Sequence, residues 1–467
     1  TEKRVFHIAG FIVVALGCGL FTNQIILSDF MEEHQINIRM FRPMESYQKY
    51  GGVLTFARSV GYAVVKKPEG YTTAKVDQII QEYEKKSANE QQSTAKQYPN
   101  IITVVNETFA DIKVLGDFKT NEDYMPYFHS LKKNCVTGYT YASIVGGQTA
   151  NTEFELLTGN TLGFLSAGTT AFQLYIHGQM PSLVSNLKAE GYSGNKAMHP
   201  FNPYNYNRPA VYKDFGFTDF IDKFDFPKNV KRVREYISDE ANVDRIISEY
   251  EKNRKKTDQP FYMYNMTIQN HSPYDKDAAN FKQPIKIESS KYDAEANRYL
   301  NLIKYSDDSL KQLTGYFEKC KEPTIILFLG DHQPRLTDEF MNKITNGQYQ
   351  TWSSEQMMKR YQVPFVIWAN YDIKEQHIEK TSMNYIQSIL TKTAGVKMTG
   401  YQRFLNEVRK EVPTITSQGY WGKNGKFYQI NDKGSPYYGI IQKYRMIQYN
   451  MMFDKKNRRD SFFEVSK

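Results

Sequence analysis

The chain has 467 residues and a formal charge of +9, with 40% hydrophobic and 14% aromatic residues. Those fractions supply a sizeable core and exclude a disordered chain, while only three cysteines with no CxxC pair exclude a disulfide framework and a thiolate zinc knuckle. The basic excess is spread along the chain rather than blocked, which argues against nucleic acid and for an anionic membrane surface.

In chain order, residues 6–27 are almost entirely apolar after Lys3 and Arg4, long enough to cross a bilayer. The basic flank predicts a cytoplasmic N-terminus and places everything after Ser28 outside the cell. No small-residue cleavage site follows, so a membrane span is preferred to a signal peptide, and Thr1 without an initiator Met suggests a piece of a longer protein. Residues 47–65 set Val53, Leu54, Phe56, Ala57, Val60 and Tyr62 at helical intervals, for a helix lying on the membrane or on the next domain. A second helix is predicted over 73–88 on the stripe Val76, Ile79, Ile80 and Tyr83, followed by a polar linker to Gln97.

From Tyr98 strand-like and helix-like runs alternate, which predicts an α/β domain with a central sheet and helices on both faces. Helices are expected over 181–190, from a Ser238 cap to 255, and over 293–319. Residues 363–369 read as a buried strand without chemistry, and the tighter turn spacing after Tyr401 predicts a small C-terminal lobe. The expected division is a transmembrane helix over 1–28, juxtamembrane helices and linker over 29–98, a main domain over 99–400 and a C-terminal subdomain over 401–467.

Four separated segments carry the chemistry. Three strand-like runs each stop where a polar, ligand-capable residue begins: at Glu107 in NETF, in QNHSPY at His271, and at Asp331-His332 in GDHQPR. In open α/β sheets that edge is where ligands bind. A carboxylate after a buried strand needs a cation, a partner or solvent, and an acid beside an imidazole offers oxygen and nitrogen ligands to one divalent ion. The fourth segment, GGQTANTEFE at 146–155, sets Thr149 behind a glycine pair at the start of a helix, where the positive end of the dipole stabilises a phosphate or an alkoxide. Thr152 and Thr158 are rivals that do not follow the glycines. Taken singly, Asp331-His332 reads as a surface turn, Glu107 as a salt-bridge partner and Thr149 as a helix cap.

The ordered set NETF, GGQTANTEFE, HPFNPYNYNRPAVY, QNHSPY and GDHQPR resembles the lipoteichoic acid synthase family, phosphoglycerol transferases of the alkaline phosphatase and sulfatase superfamily. The resemblance runs over about residues 6–420. It implies the central sheet of that superfamily and a metal site of Glu107, Thr149, Asp331 and His332, with Thr149 as the phosphorylated nucleophile. The family's metal is typically manganese, and the mixed oxygen and nitrogen set suits Mn2+ or Mg2+. It also implies that His199, Arg208 and His271 hold the glycerol phosphate group, with Tyr206 where relatives often carry Trp. Family members usually have several spans before the catalytic domain, and this sequence shows one.

The resemblance implies transfer of glycerol phosphate from phosphatidylglycerol, through a phosphothreonine, to a hydroxyl of a glycerol phosphate polymer, a glycolipid or a wall polysaccharide, releasing diacylglycerol. Arg208 would offset charge on the phosphoryl oxygens, and His271 is a candidate acid or base. The enzyme would sit in the cell membrane with its catalytic domain extracellular. Phosphodiesterase and phosphoethanolamine transferase activities are the alternatives. A sulfatase reaction lacks a formylglycine setting around Cys135.

Overall fold

Seven consecutive buried residues form each of two strands, β1 (Asn100–Asn106) and, later in the chain, Thr324–Gly330, because the interiors of both runs, IITVV and IILFL, are β-branched, aliphatic or aromatic. They lie side by side at the centre of a sheet described by a computed structural model covering residues 2–27, 30, 38, 43–87, 97–288 and 293–465. The predicted linker falls almost wholly outside those residues, as does Ser28.

The remaining strands in chain order are β2 (Cys135–Tyr141), β3 (Ser193–Met198), β4 (Asp219–Ile221), the hairpin pair β5 (Arg232–Val233) and β6 (Tyr236–Ile237), β7 (Phe261–Met266), β8 (Thr324–Gly330), β9 (Gln362–Ala369) and β10 (Gln376–Ser382). The main sheet has eight strands in the order β10-β2-β9-β8-β1-β7-β3-β4. All pair in parallel except β9, which runs antiparallel to both β2 and β8, so the strand expected to carry no chemistry is also the reversed one. Side chains alternate between two cores: Ile101, Val105, Leu327 and Leu329 face one, Ile102, Val104, Ile326 and Phe328 the other.

Helices cover both faces, as predicted. N-terminal to the sheet stand α1 (Glu2–Phe21), α2 (Pro43–Tyr50), α3 (Gly52–Ala63) and α4 (Thr73–Lys86). Helix α1 continues through a π-helical turn, Thr22–Leu27, and residues Arg4–Ile26 form one helix long and apolar enough to cross a membrane, its most apolar stretch unburied and its end at Ile26 meeting α3. The single helix expected over 47–65 is two, broken at Gly51, whose φ of +77° a side chain would resist. Its apolar residues divide between two faces: Val53 is 76% and Phe56 65% exposed, while Ala57 and Tyr62 pack inward with Thr55 and Arg58. Helix α4 is as predicted, capped by Thr72, with Val76, Ile79 and Tyr83 buried.

On the first core lie α5 (Thr149–Thr158) and α6 (Leu183–Ala189), with α7 (Arg208–Phe215) beside them. The second core is closed by α8 (Asp239–Arg254), capped by Ser238 as expected, and α9 (Ala294–Phe317). Then α10 (Met383–Thr393), α11 (Gly400–Glu411) and α12 (Tyr438–Met452) return to the first core. Between α11 and α12 a three-stranded antiparallel sheet forms from β11 (Thr414–Thr416), β12 (Gly419–Trp421) and β13 (Phe427–Tyr428). Tyr420, Tyr444 and Phe462 from this C-terminal region join the same buried cluster as Ile101 and Leu327.

Register then decides where the chemistry sits. Asn106 pairs with Gly330, Val105 with Met266, and Asn265 with Met198, so β8, β1, β7 and β3 end level with one another. The residues just beyond those ends are Asp331, Glu107, Thr267 and His199.

Candidate metal centre and active site

Glu107, Asp331 and His332 are all buried, and one ligand atom from each lies within 4.8 Å of the others. The crowding is built by the backbone. Thr108 takes a left-handed φ of 53°, donates its N–H to Asp331 Oδ1 at 2.7 Å and its hydroxyl to Glu107 Oε1 at 3.2 Å, and so ties the two carboxylates together. Gly330 allows it, since a Cβ there would sit 1.8 Å from the Phe109 carbonyl oxygen. Asn270 donates to the Glu107 carbonyl at 3.0 Å and to Ser306 Oγ at 2.8 Å, while Thr267 accepts from the Glu107 N–H at 3.0 Å.

His332 donates from Nδ1 to the Gln333 carbonyl at 2.9 Å, which leaves an Nε2 lone pair. That atom stands 3.2 Å from Asp331 Oδ2 and 3.7 Å from Glu107 Oε1. Neither His332 Nε2 nor Asp331 Oδ2 makes a hydrogen bond, although both are buried. Burial, and next the charge of Asp331, push the Glu107 carboxyl up to about 8. Converging acceptors, two of which, His332 Nε2 and Asp331 Oδ2, have no donor, around a carboxyl that resists ionising, fit a divalent cation, and the oxygen and nitrogen set suits Mn2+, Mg2+ or Zn2+.

Thr149 joins the same cluster, its hydroxyl donating to Glu107 Oε2 at 3.3 Å. Gly146 and Gly147 at φ of 67° and 141°, then Gln148 at 67°, turn the chain so that α5 starts at Thr149 with its positive end at that hydroxyl. The rivals are spent elsewhere: Thr152 donates to the Asp331 carbonyl at 2.8 Å and Thr158 to the Phe154 carbonyl at 2.7 Å.

Of the four residues expected to face substrate, Arg208 and Tyr206 lie within electrostatic reach of Glu107, and His199 within reach of Arg208 and His271. His199 is buried and donates from Nδ1 to the Met266 carbonyl at 3.0 Å. Burial, then the charge of Arg208, hold it well below 6.5, so at neutral pH it is an uncharged ring with an accepting Nε2. That suits a hydroxyl better than a phosphate. Tyr206 and Asn207 both take left-handed backbone, at φ of 61° and 59°, and the Tyr206 ring lies 5.1 Å from the Arg208 guanidinium. His271 is half-buried, donates from Nδ1 to the Ser272 carbonyl at 2.6 Å, and its ring lies stacked 6.4 Å from Phe201. Arg234 holds that loop by donating to the carbonyls of Gln269, His271 and Pro273.

Arg208 differs from expectation. Its Nε and Nη2 donate to Glu153 Oε1 at 3.0 and 2.7 Å, so part of the fork expected for phosphate is committed to a carboxylate on α5. The hydroxyls of Tyr212 and Tyr264, the latter at 3.1 Å, donate to Glu153 Oε2. Burial, and next the Glu153 charge, keep both phenols protonated. Glu153 escaped the sequence reading because an acid on a helix is most often solvated; the signal available was its apolar company in TANTEFELL.

The Sulfatase family model matches residues 99–396 of the chain. The chain belongs to the sulfatase family. Its sulfatase domain has relatives beyond that model: a Rhizobium meliloti (strain 1021) protein named for cyclic beta-1,2-glucan modification is 30% identical over 433 residues, 91% of this chain and 65% of that protein. A lipoteichoic acid synthase-like protein of Bacillus subtilis (strain 168) is 27% identical over 240 residues, 50% of this chain and 36% of that protein. The chain thus spans at most about two thirds of the length of these relatives. Among solved sulfatase-family folds, the Streptococcus pyogenes phosphoglycerol transferase GacH in complex with sn-glycerol-1-phosphate superposes with a TM-score of 0.69 at 20% identity, over 86% of this chain and 100% of that one.

Proposed function

We propose that this chain is a metal-dependent phosphoglycerol transferase, which moves glycerol phosphate from phosphatidylglycerol to a hydroxyl of a cell-envelope glycan, glycolipid or polymer and releases diacylglycerol. The observation that carries the reading is Thr149, a hydroxyl at a helix N-terminus hydrogen-bonded to Glu107 within a cluster of unsatisfied metal-type ligands. The relatives named above support it, and the glucan-modifying one favours a glycan acceptor.

Glu107, Asp331 and His332, with the Thr149 hydroxyl, would hold the cation, Mn2+ before Mg2+. When bound, the cation supplies Lewis-acid polarisation of a phosphoryl oxygen and lowers the pKa of a coordinated hydroxyl. The Thr149 oxygen forms the bond to phosphorus as the bond to the diacylglycerol oxygen breaks, leaving a phosphothreonine ester of glycerol phosphate, and the proton lost by Thr149 ends on the diacylglycerol oxygen. An acceptor hydroxyl then forms its bond to phosphorus as the Thr149 bond breaks, and the proton it loses restores the Thr149 hydroxyl. Arg208, held by Glu153 and Tyr206, directs its remaining N–H groups at the phosphoryl oxygens, and His199 accepts from a glycerol hydroxyl. His271 presents Nε2 as the acid or base at the leaving or attacking oxygen.

Helix α1 would anchor the protein in the cell membrane, with the catalytic domain over 99–400 and the subdomain over 401–467 outside the cell. The test is Thr149→Ala, assayed with fluorescent phosphatidylglycerol, Mn2+ and candidate glycan acceptors. Diacylglycerol release should fall by at least about 1,000-fold with Mn2+ binding retained. Turnover like that of the wild type would refute the nucleophile, and diacylglycerol release without an acceptor product in the wild type would make the enzyme a phosphodiesterase.

A further inference from the structure

Where the membrane span meets the folded domain, a cavity of about 310 Å³ opens between the end of α1, α3, the segment after α5, and α12. Its walls include Lys67 and Arg445, with Arg58 and Lys66, which have partners of their own; among the described residues the one carboxylate in the lining is Glu69, which itself lies 3.8 Å from Lys433. Ile26, at the outer end of the apolar helix, forms one wall. Arg445 is half-buried, donates from Nη2 to the Asn431 side chain at 2.8 Å and lies 5.2 Å over the Phe164 ring. Burial alone pushes its guanidinium down, and no carboxylate among the described residues opposes that shift. A desolvated cation of this kind gains most from an anionic partner.

Two further features orient the cavity toward lipid. Val53, Phe56 and Val60 on α3 are exposed, as are the apolar side chains of α1, and α3 touches the span directly, since a Cβ on Gly61 would sit 3.0 Å from the Ile26 carbonyl oxygen. The cavity is also distinct from the catalytic centre. None of Glu107, Thr149, Asp331 and His332 lines it, and its walls Gly163 and Phe164 come after the C-terminal end of the helix that Thr149 begins.

We infer that this cavity binds the phosphate-bearing headgroup of an anionic phospholipid, with the acyl chains running along α1 and α3 into the bilayer. The inference rests on the membrane location proposed above and not on the transfer reaction. Such a lipid would fix the height of the domain over the membrane. It would also brace the segment that meets α5, where Asn151 donates to the Thr169 carbonyl at 2.8 Å and accepts from Ala171 N–H at 3.0 Å.

The experiment uses the full chain carrying Thr149→Ala, so that bound lipid is not consumed, purified in neutral detergent and passed through nanodiscs of phosphatidylcholine with or without phosphatidylglycerol. Native mass spectrometry then counts retained lipid. Phosphatidylglycerol should be retained over phosphatidylcholine, and Arg445→Gln or Lys67→Gln should each weaken retention about tenfold, with Arg445→Lys restoring part of it. Unfolding temperatures in neutral detergent identify any variant that lost lipid by losing its fold. Unchanged retention in folded Arg445→Gln and Lys67→Gln would place the lipid at the catalytic centre and overturn the inference. Equal retention of phosphatidylcholine would overturn it too, as would displacement by inorganic phosphate as effective as by lipid, which would make the cavity a small-anion site. Loss of turnover alone bears on Thr149 and leaves the retention result intact.

Discussion

Replacing Glu153 by Gln should unfold the protein at a markedly lower temperature, because the side chain accepts four hydrogen bonds in a site closed to water. Glu153 Oε1 takes Arg208 Nε and Nη2, and Oε2 takes the hydroxyls of Tyr212 and Tyr264. Gln keeps the first acceptor, turns the second into a donor facing two other donors, and leaves the buried Arg208 charge without its counterion. Removing one partner of a buried ion pair costs about 3–5 kcal/mol, and for a domain of this size that lowers the melting temperature by about 5–10 °C. The assay is thermal unfolding of the purified protein without metal, with Glu153→Gln, Arg208→Met and the double variant Glu153→Met, Arg208→Met. The double variant should recover most of the stability, since both charges are gone, and none of the transfer activity, since Arg208 is placed on the phosphoryl oxygens. A Glu153→Gln protein within about 1 kcal/mol of the wild type would refute the claim that this carboxylate holds Arg208 in place.

Other consequences are equally open to measurement. Gly330→Ala would press a methyl into the Phe109 carbonyl and displace the turn that carries Asp331, so Mn2+ affinity by calorimetry should fall by at least about tenfold; unchanged affinity would contradict the packing argument. Burial pushes the Glu155 carboxyl up to about 7, above its unfolded value, so its stabilising contribution is full in acid below about 4.3 and is lost as pH rises through 7. Glu155→Gln should therefore flatten the stability profile across that window by on the order of 1–3 kcal/mol, keeping the acceptor used by Ser143, Thr161 and Leu162; an unaltered slope would show that Glu155 does not cause it. Chelation should abolish transfer and Mn2+ should restore it better than Mg2+, and activity that survives exhaustive chelation would remove the metal from the proposed reaction.

Much of the site could be read from the chain because parallel strands advertise their ends. The aliphatic runs of β1 and β8 stop at Glu107 and Asp331, and the sheet register has only to set them side by side. Thr149 stood apart from Thr152 and Thr158 through the glycine pair before it, and those two hydroxyls indeed serve backbone carbonyls. The supporting residues were hidden for a common reason. Glu153, Thr108 and Arg234 owe their roles to partners distant in sequence or to a left-handed backbone that residue type does not announce. The helix predicted over 47–65 shows the limit of periodicity, which locates an apolar stripe without saying which way it faces. Gly51 and Gly52 carried the information that the helix breaks, and of the two surfaces expected for it, membrane and protein, Val53 and Phe56 stand exposed while Ala57 and Tyr62 pack on protein.

The central claim is that one cation is shared by Glu107, Thr149, Asp331 and His332. Anomalous diffraction at the manganese edge from crystals grown with Mn2+ tests it most directly. A single peak is expected, about 2.0–2.3 Å from a carboxylate oxygen of Glu107 and of Asp331, from His332 Nε2 and from Thr149 Oγ1. Manganese bound anywhere else, or a peak that leaves the Thr149 hydroxyl out of coordination, would contradict the account.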